Sequence, residues 1–158
     1  MTSEESFAKL REIESRKYPD ELKDRAEYRA ATSEEERREI ANRRNRWYQQ
    51  KEADRLQAIH DLVPAVGTPC TIIYYSDRRA ATVSEIVSPT KIKVKHNKTK
   101  CLDYYAGEYE ILPELEDCMG EDTFTKRKNG QWVEEGHPVN DGVLLALSFQ
   151  RHYIDPCF

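Results

Sequence analysis

Arginine supplies the most conspicuous chemistry in this chain. Arg37, Arg38, Arg43, Arg44 and Arg46 fall within ten residues, just before Trp47 and Tyr48. A guanidinium grips phosphate or carboxylate with a planar fork, and a neighbouring aromatic ring can stack on a base. Arg43, Arg44, Arg46 and Trp47 are therefore a candidate surface for nucleic acid or for an acidic protein face. Glu34, Glu35, Glu36 and Glu39 sit about one turn away, so the alternative is a solvated helix face whose charges pair at i,i+3 and i,i+4.

A second group lies in IIYYSDRRAATV, residues 72–83, where two apolar runs flank a charged turn. Ser76 and Asp77 can bond nearby backbone and hold the bend, while Arg78 and Arg79 project from it. Neighbouring residues in a strand face opposite ways, so one of Tyr74 and Tyr75 points outward beside them. Tyr75, Asp77, Arg78 and Arg79 are the binding candidates here. The structural alternative is a turn in which Asp77 and Arg78 brace the terminal Asp155-Pro156-Cys157-Phe158. Trp132, Tyr104 and Tyr105 read as core or half-buried sheet residues rather than an aromatic cage.

Catalytic and metal patterns are absent from the sequence. Cys70, Cys101, Cys118 and Cys157 form no CxxC pair, and a metal site from Cys101, Cys118, His137 and His152 would need four scattered positions to converge. There is no glycine-rich phosphate loop, GxSxG elbow or HExxH pair, and His60, His96, His137 and His152 have no nucleophile at a recognisable spacing. The expectation is a non-enzymatic protein with no cofactor and no metal, although a site assembled only by folding leaves no motif.

The composition bounds the partners. The chain has 158 residues, 34% of them charged and 38% hydrophobic, with a formal net charge of −4. That balance argues against a dedicated nucleic-acid coat and leaves room for a local basic patch. No apolar run approaches the roughly 20 residues of a membrane span, and MTSEESFAKL is too acidic for a secretory signal. The expected setting is the cytoplasm, without a membrane partner.

Two grammars divide the chain near Pro64, giving a helical region 1–63 and an antiparallel domain 64–158. Thr2 with Glu5 and Ser33 with Glu36 are capping boxes, each opening a helix. Phe7, Leu10 and Ile13 mark the first helix, which Tyr18-Pro19 should end. A second, from Asp20 to Ala31, carries a weak apolar side of Leu22, Ala26 and Ala30. The third keeps helical phase through Ile40, Arg44, Trp47, Tyr48, Leu56, Ile59 and Val63, for about 30 residues and 45 Å. Lys51 and Glu52 interrupt its stripe, favouring an intramolecular bundle over a coiled coil, with monomer and homodimer both open.

After Pro64, Thr68 to Tyr75 and Ala80 to Val87 make a hairpin, and Lys91-Ile92-Lys93-Val94-Lys95 alternates with Ile92 and Val94 inward. Tyr104 to Leu112, Thr123 to Arg127, Gln131 to Val133 and Val143 to Phe149 read as further strands, with Asn129-Gly130 accepting the positive φ angles of a tight turn. Six or seven short strands without helices between them imply an α+β chain, N-terminal helices followed by a small antiparallel, SH3-like β-barrel.

VGTPCTIIYYSDRRAATVSEI, FTKRKNGQWVEEG and RHYIDPCF together resemble a family of short, largely uncharacterised proteins of phages and related mobile elements. The resemblance spans about residues 66–158 and implies a mobile-element origin, but no catalytic residue or activity. A weaker likeness, to Tudor-type barrels, is one of fold alone. The expectation from residues and resemblance is an accessory that binds a host protein in the host cytoplasm, with inhibition of a defence nuclease as one such role. The alternatives are a nucleic-acid-binding accessory using Arg43, Arg44, Arg46, Arg78 and Arg79, and a nucleotide-capturing sponge at an oligomer interface.

Overall fold

The chain is α+β, with three N-terminal helices followed by a small, closed, SH3-like antiparallel barrel. The structure is a computed structural model and describes residues 1–157, apart from the side chains of 114–118; Phe158 and the Cys118 side chain therefore lie outside the described residues. Two compact units divide at Asp61/Leu62. No helix among the described residues is long and apolar enough to cross a membrane.

In the helical unit, α1 is Ser3–Ser15, α2 Glu21–Ala30 and α3 Glu34–His60. Both capping boxes form. Glu5 N donates to Thr2 Oγ1 at 3.2 Å while Thr2 N donates to Glu5 Oε2 at 2.6 Å, and Ser33 and Glu36 reciprocate in the same way at the start of α3. These bonds satisfy amides that the helix itself leaves without acceptors.

The two short helices flank different halves of α3. From the α1 end, Arg16 bonds Asp54 at 2.9 Å and Glu14 meets Arg55 at 3.3 Å. Lys51 Nζ donates to the carbonyls of Glu14 and Arg16, filling acceptors that the end of α1 leaves open. The α2 helix lies against the N-terminal half, where Arg43 and Arg44 reach its carboxylates. The apolar side expected for α2 is not its packing face: Leu22 is 81% exposed and Ala26 and Ala30 are exposed, whereas Asp24 is buried. A paired charge, rather than an apolar stripe, seats this helix.

The barrel strands are β1 Pro69–Ile73, β2 Arg78–Ser88, β3 Lys91–Asp103, β4 Glu108–Lys126, β5 Trp132–Glu134 and β6 Leu144–Ala146. Each pairs antiparallel with the next, and β6 returns to β1 to close the meander. Closure removes the exposed edges of a small sheet. Ile92 and Val94 point inward as the alternation requires, joining Cys70, Ile72, Val83, Phe124 and Val133 in a core from which water is excluded. Each large side chain buried there contributes about 1.5–3 kcal/mol. Two register shifts in β2, between Val83 and Glu85 and between Ile86 and Ser88, bend the strand around that core.

Several strand readings change, and the final strand, expected over Val143 to Phe149, is only Leu144–Ala146. The segments expected at Tyr104 to Leu112 and Thr123 to Arg127 belong to one 19-residue strand, β4, while Tyr104 and Tyr105 sit in the turn before it. Beyond the barrel, Lys98–Asp103 of β3 and Glu108–Leu112 of β4 continue as a two-stranded arm, largely solvated on both faces. The hairpin after β4 uses a three-residue loop: Gly130 N donates to Arg127 O and Arg127 N to Gln131 O, each at 2.8 Å. Only Gly130, at φ 79°, takes the left-handed conformation, and Asn129 instead bonds Gln131 N through its side chain.

Candidate binding surfaces

The charged turn is a socket for the chain's own C-terminus. Arg78 and Tyr153 exchange backbone hydrogen bonds at 2.8 and 2.7 Å, and Asp77 Oδ1 accepts the Asp155 amide at 3.0 Å. The Arg78 guanidinium donates to the carbonyls of Tyr74 and Asp77, so its charge closes the turn that bears it. Upstream, Thr71 Oγ1 donates to Phe149 O and accepts from Arg151 N, both at 2.9 Å. Gln150 Nε2 donates to Ala81 O and to Asn97 Oδ1, which also accepts from Thr82. The His152 ring lies edge-on to Tyr109, with Nδ1 near Ala80 N and Nε2 near Thr99 Oγ1. One neutral imidazole, protonated at Nε2, satisfies both contacts.

What remains at this turn is shallow. Tyr74 is half-buried beneath the Arg79 guanidinium, 5.9 Å from ring centroid to Cζ, and burial with nearby Asp122 pushes its phenol up. Tyr75 is the outward member of the pair and is 96% exposed. Together with Ser76, Asp77, Arg79 and Met119 they line a depression of about 240 Å³. Arg79 keeps a long, 3.7 Å pairing with Asp77.

The arginine cluster has a different arrangement. Arg43 crosses from α3 to α2, where its guanidinium bonds Asp24, and Glu27 at 2.7 Å. Asp24 also accepts from the Tyr18 hydroxyl. Hydrogen bonds from Tyr18 and Arg43 outweigh burial and hold the Asp24 carboxyl below its ordinary range, while Glu27 and Asp24 raise Arg43 still further. Arg46 pairs with Glu39 at 2.9 Å, and Trp47 is half-buried edge-on to Tyr18 at 5.5 Å. The pairing expected within α3 at i,i+3 and i,i+4 thus gives way largely to pairing with α2, with Arg43 engaged by Asp24 and Glu27 and Trp47 packed on Tyr18.

Arg44 belongs to a groove of about 510 Å³ between α2 and α3. Glu21, Arg25, Tyr28 and Arg29 form the α2 wall, and Ile40, Ala41, Arg44 and Tyr48 the α3 wall. Tyr28 and Tyr48 remain 50% and 45% exposed. Glu21 accepts from both Arg25, at 3.0 Å, and Arg44, at 3.2 Å. Arg44 is raised by its bond to Tyr48 and by Glu21, and its guanidinium lies 5.7 Å from the Tyr48 ring. Tyr28, Arg25 and Arg29 were invisible as site residues because each reads alone as helix surface. Their signal is the spacing i,i+3,i+4 on α2 opposite Ile40, Arg44 and Tyr48 at i,i+4,i+8 on α3. No group of metal-ligating side chains converges among the described residues.

Comparison with known proteins gives no matching family model, no matching curated protein and no matching solved structure.

Proposed function

We propose that the protein is a non-enzymatic accessory of a phage or mobile element that acts by binding a protein of the host cell, inhibition of a defence system such as a nuclease being one such role. The observation that carries this reading is the α2–α3 groove, whose exposed Tyr28 and Tyr48 lie beside Arg25, Arg29 and Arg44. Tyrosine and arginine are the side chains most often found at the energetic centre of protein interfaces, where each combines contact area with directional bonding. The mobile-element setting rests on the Gly-Thr-Pro, Tyr-Ser-Asp-Arg and Asn-Gly-x-Trp motifs of the barrel. Against a nucleic-acid role, Arg43 and Arg46 are engaged by carboxylates and Arg78 by its own turn, which leaves few of the expected phosphate contacts.

The test is capture from nuclease-treated host lysate with the intact chain and with Tyr28→Ala/Tyr48→Ala, after melting curves establish that both are folded. The reading predicts one protein held in fixed ratio by the intact chain and lost by the variant. Capture that disappears with nuclease, or that the variant retains in full, contradicts it.

A further inference from the structure

We infer that the α2–α3 groove takes an acidic amphipathic helix of the partner protein, laid along both helix walls. The inference rests on the protein-binding reading above and adds the chemistry of the segment that binds.

The shape follows from how the helical unit is assembled. Side chains from the α1 end reach α3 at Lys51, Asp54 and Arg55, whereas α2 reaches it at Arg43 and Arg44. The N-terminal half of α3 therefore has one short helix beside it within its own unit. Glu21 to Arg29 and Ile40 to Tyr48 each run about 12 Å, a little over two helical turns. Ridges at i,i+4,i+8 on both walls accept side chains at the same spacing from a third helix. The floor of Ile40 and Ala41, flanked by two tyrosines, takes its apolar anchors, as in other helix-in-groove complexes.

Charge selects the occupant. Asp24 is already bonded by Tyr18 and Arg43, so Glu21 is the one lining carboxylate facing the three guanidiniums of Arg25, Arg29 and Arg44. Arg29 has no ion-pair partner among the described residues. Carboxylates flanking the anchors of an incoming helix meet this surplus, and a lysine-flanked helix is repelled by it. Groove-to-groove pairing of two copies of this chain would oppose the same arginines, which disfavours self-docking as the use of this face.

The probe is a fluorescein-labelled helical peptide of about five turns, with leucines on one face and glutamates beside them, against a twin with lysines in place of the glutamates. Anisotropy should show the acidic peptide binding at least about tenfold more tightly. Arg25→Glu/Arg29→Glu, both at exposed positions, should invert that preference. Tyr28→Ala/Tyr48→Ala should weaken the acidic peptide about tenfold, which charge attraction alone would not produce. The inference is overturned if neither peptide binds, if the two bind alike, if the charge reversal leaves the order unchanged, or if a single-stranded oligonucleotide displaces the acidic peptide. A host protein still captured by the charge-reversed chain would end this inference and leave the protein-binding reading intact; a lysate that yields no protein partner would end that reading itself.

Discussion

Asp77 Oδ1 holds the backbone N–H of Asp155 at 3.0 Å, linking the first hairpin of the barrel to the end of the chain. The turn that looks most like a binding loop in the sequence thereby fixes a C-terminal strap. Asp77→Ala should cost about 1 kcal/mol, because the amide loses a charge-assisted partner at a half-buried site. Asp77→Asn, which keeps an acceptor oxygen, should cost distinctly less. Hydrogen exchange at residues 151–157, read beside the melting temperature, distinguishes a loosened strap from general destabilisation.

The same strap sets a demand on Gly107. Its φ is +68°, and a Cβ there would stand 2.5 Å from Tyr153 Cε2. Gly107→Ala should therefore destabilise the turn of the β3–β4 arm and its contact with the strap by about 2 kcal/mol, part from the left-handed backbone and part from the collision. Adding Tyr153→Ala should remove the collision and leave the backbone share, so a double-mutant cycle in denaturant shows strong non-additivity.

Asp24 makes the helical unit sensitive to acid. Its carboxyl is held below the ordinary value of 3.8 by bonds from Tyr18 and Arg43, so the unfolded chain binds a proton more readily than the folded one. The stabilisation is fully present above that value and is lost as pH falls below it through the lower folded value. Circular dichroism of the helices should show weakening in that window. Asp24→Asn should flatten the dependence and lower stability at neutral pH, since Arg43 would keep its charge and lose its buried partner.

These features show which parts of the structure could be read in advance. Capping boxes at Thr2/Glu5 and Ser33/Glu36 and the alternation at Ile92 and Val94 are local patterns, and they form because their partners lie within a few residues. The arm of β3 and β4 beyond the barrel has water on both faces, so it shows no alternation from which its length could be read. Seating α2 on Asp24 depends on Arg43, 19 residues away, and binding the strap to Asp77 spans 78. Periodicity carries no trace of such pairings. The arginine cluster was legible as chemistry but not as geometry: only Arg44 of the four candidates on α3 lines the groove, beside residues of α2 that spacing alone does not single out.

Cysteine reactivity follows burial. Cys70 lies inside the barrel, where burial pushes its thiol up to about 12, while Cys101 and Cys157 are exposed. At mildly alkaline pH, alkylation mapped by mass spectrometry should label Cys101 and Cys157 promptly and reach Cys70 only when the barrel unfolds. Prompt labelling of Cys70 in the folded chain would mean that the barrel core opens without global unfolding.

The central claim is that the protein works by binding another protein through the face between α2 and α3. Its most direct test is hydrogen exchange of the intact chain with and without its captured partner, in nuclease-treated solution at moderate salt. The account predicts new protection across Glu21–Ala30 and residues 40–48, with the exchange of residues 75–79 unchanged. Protection centred on residues 75–79, with α2 and α3 unaffected, would contradict it.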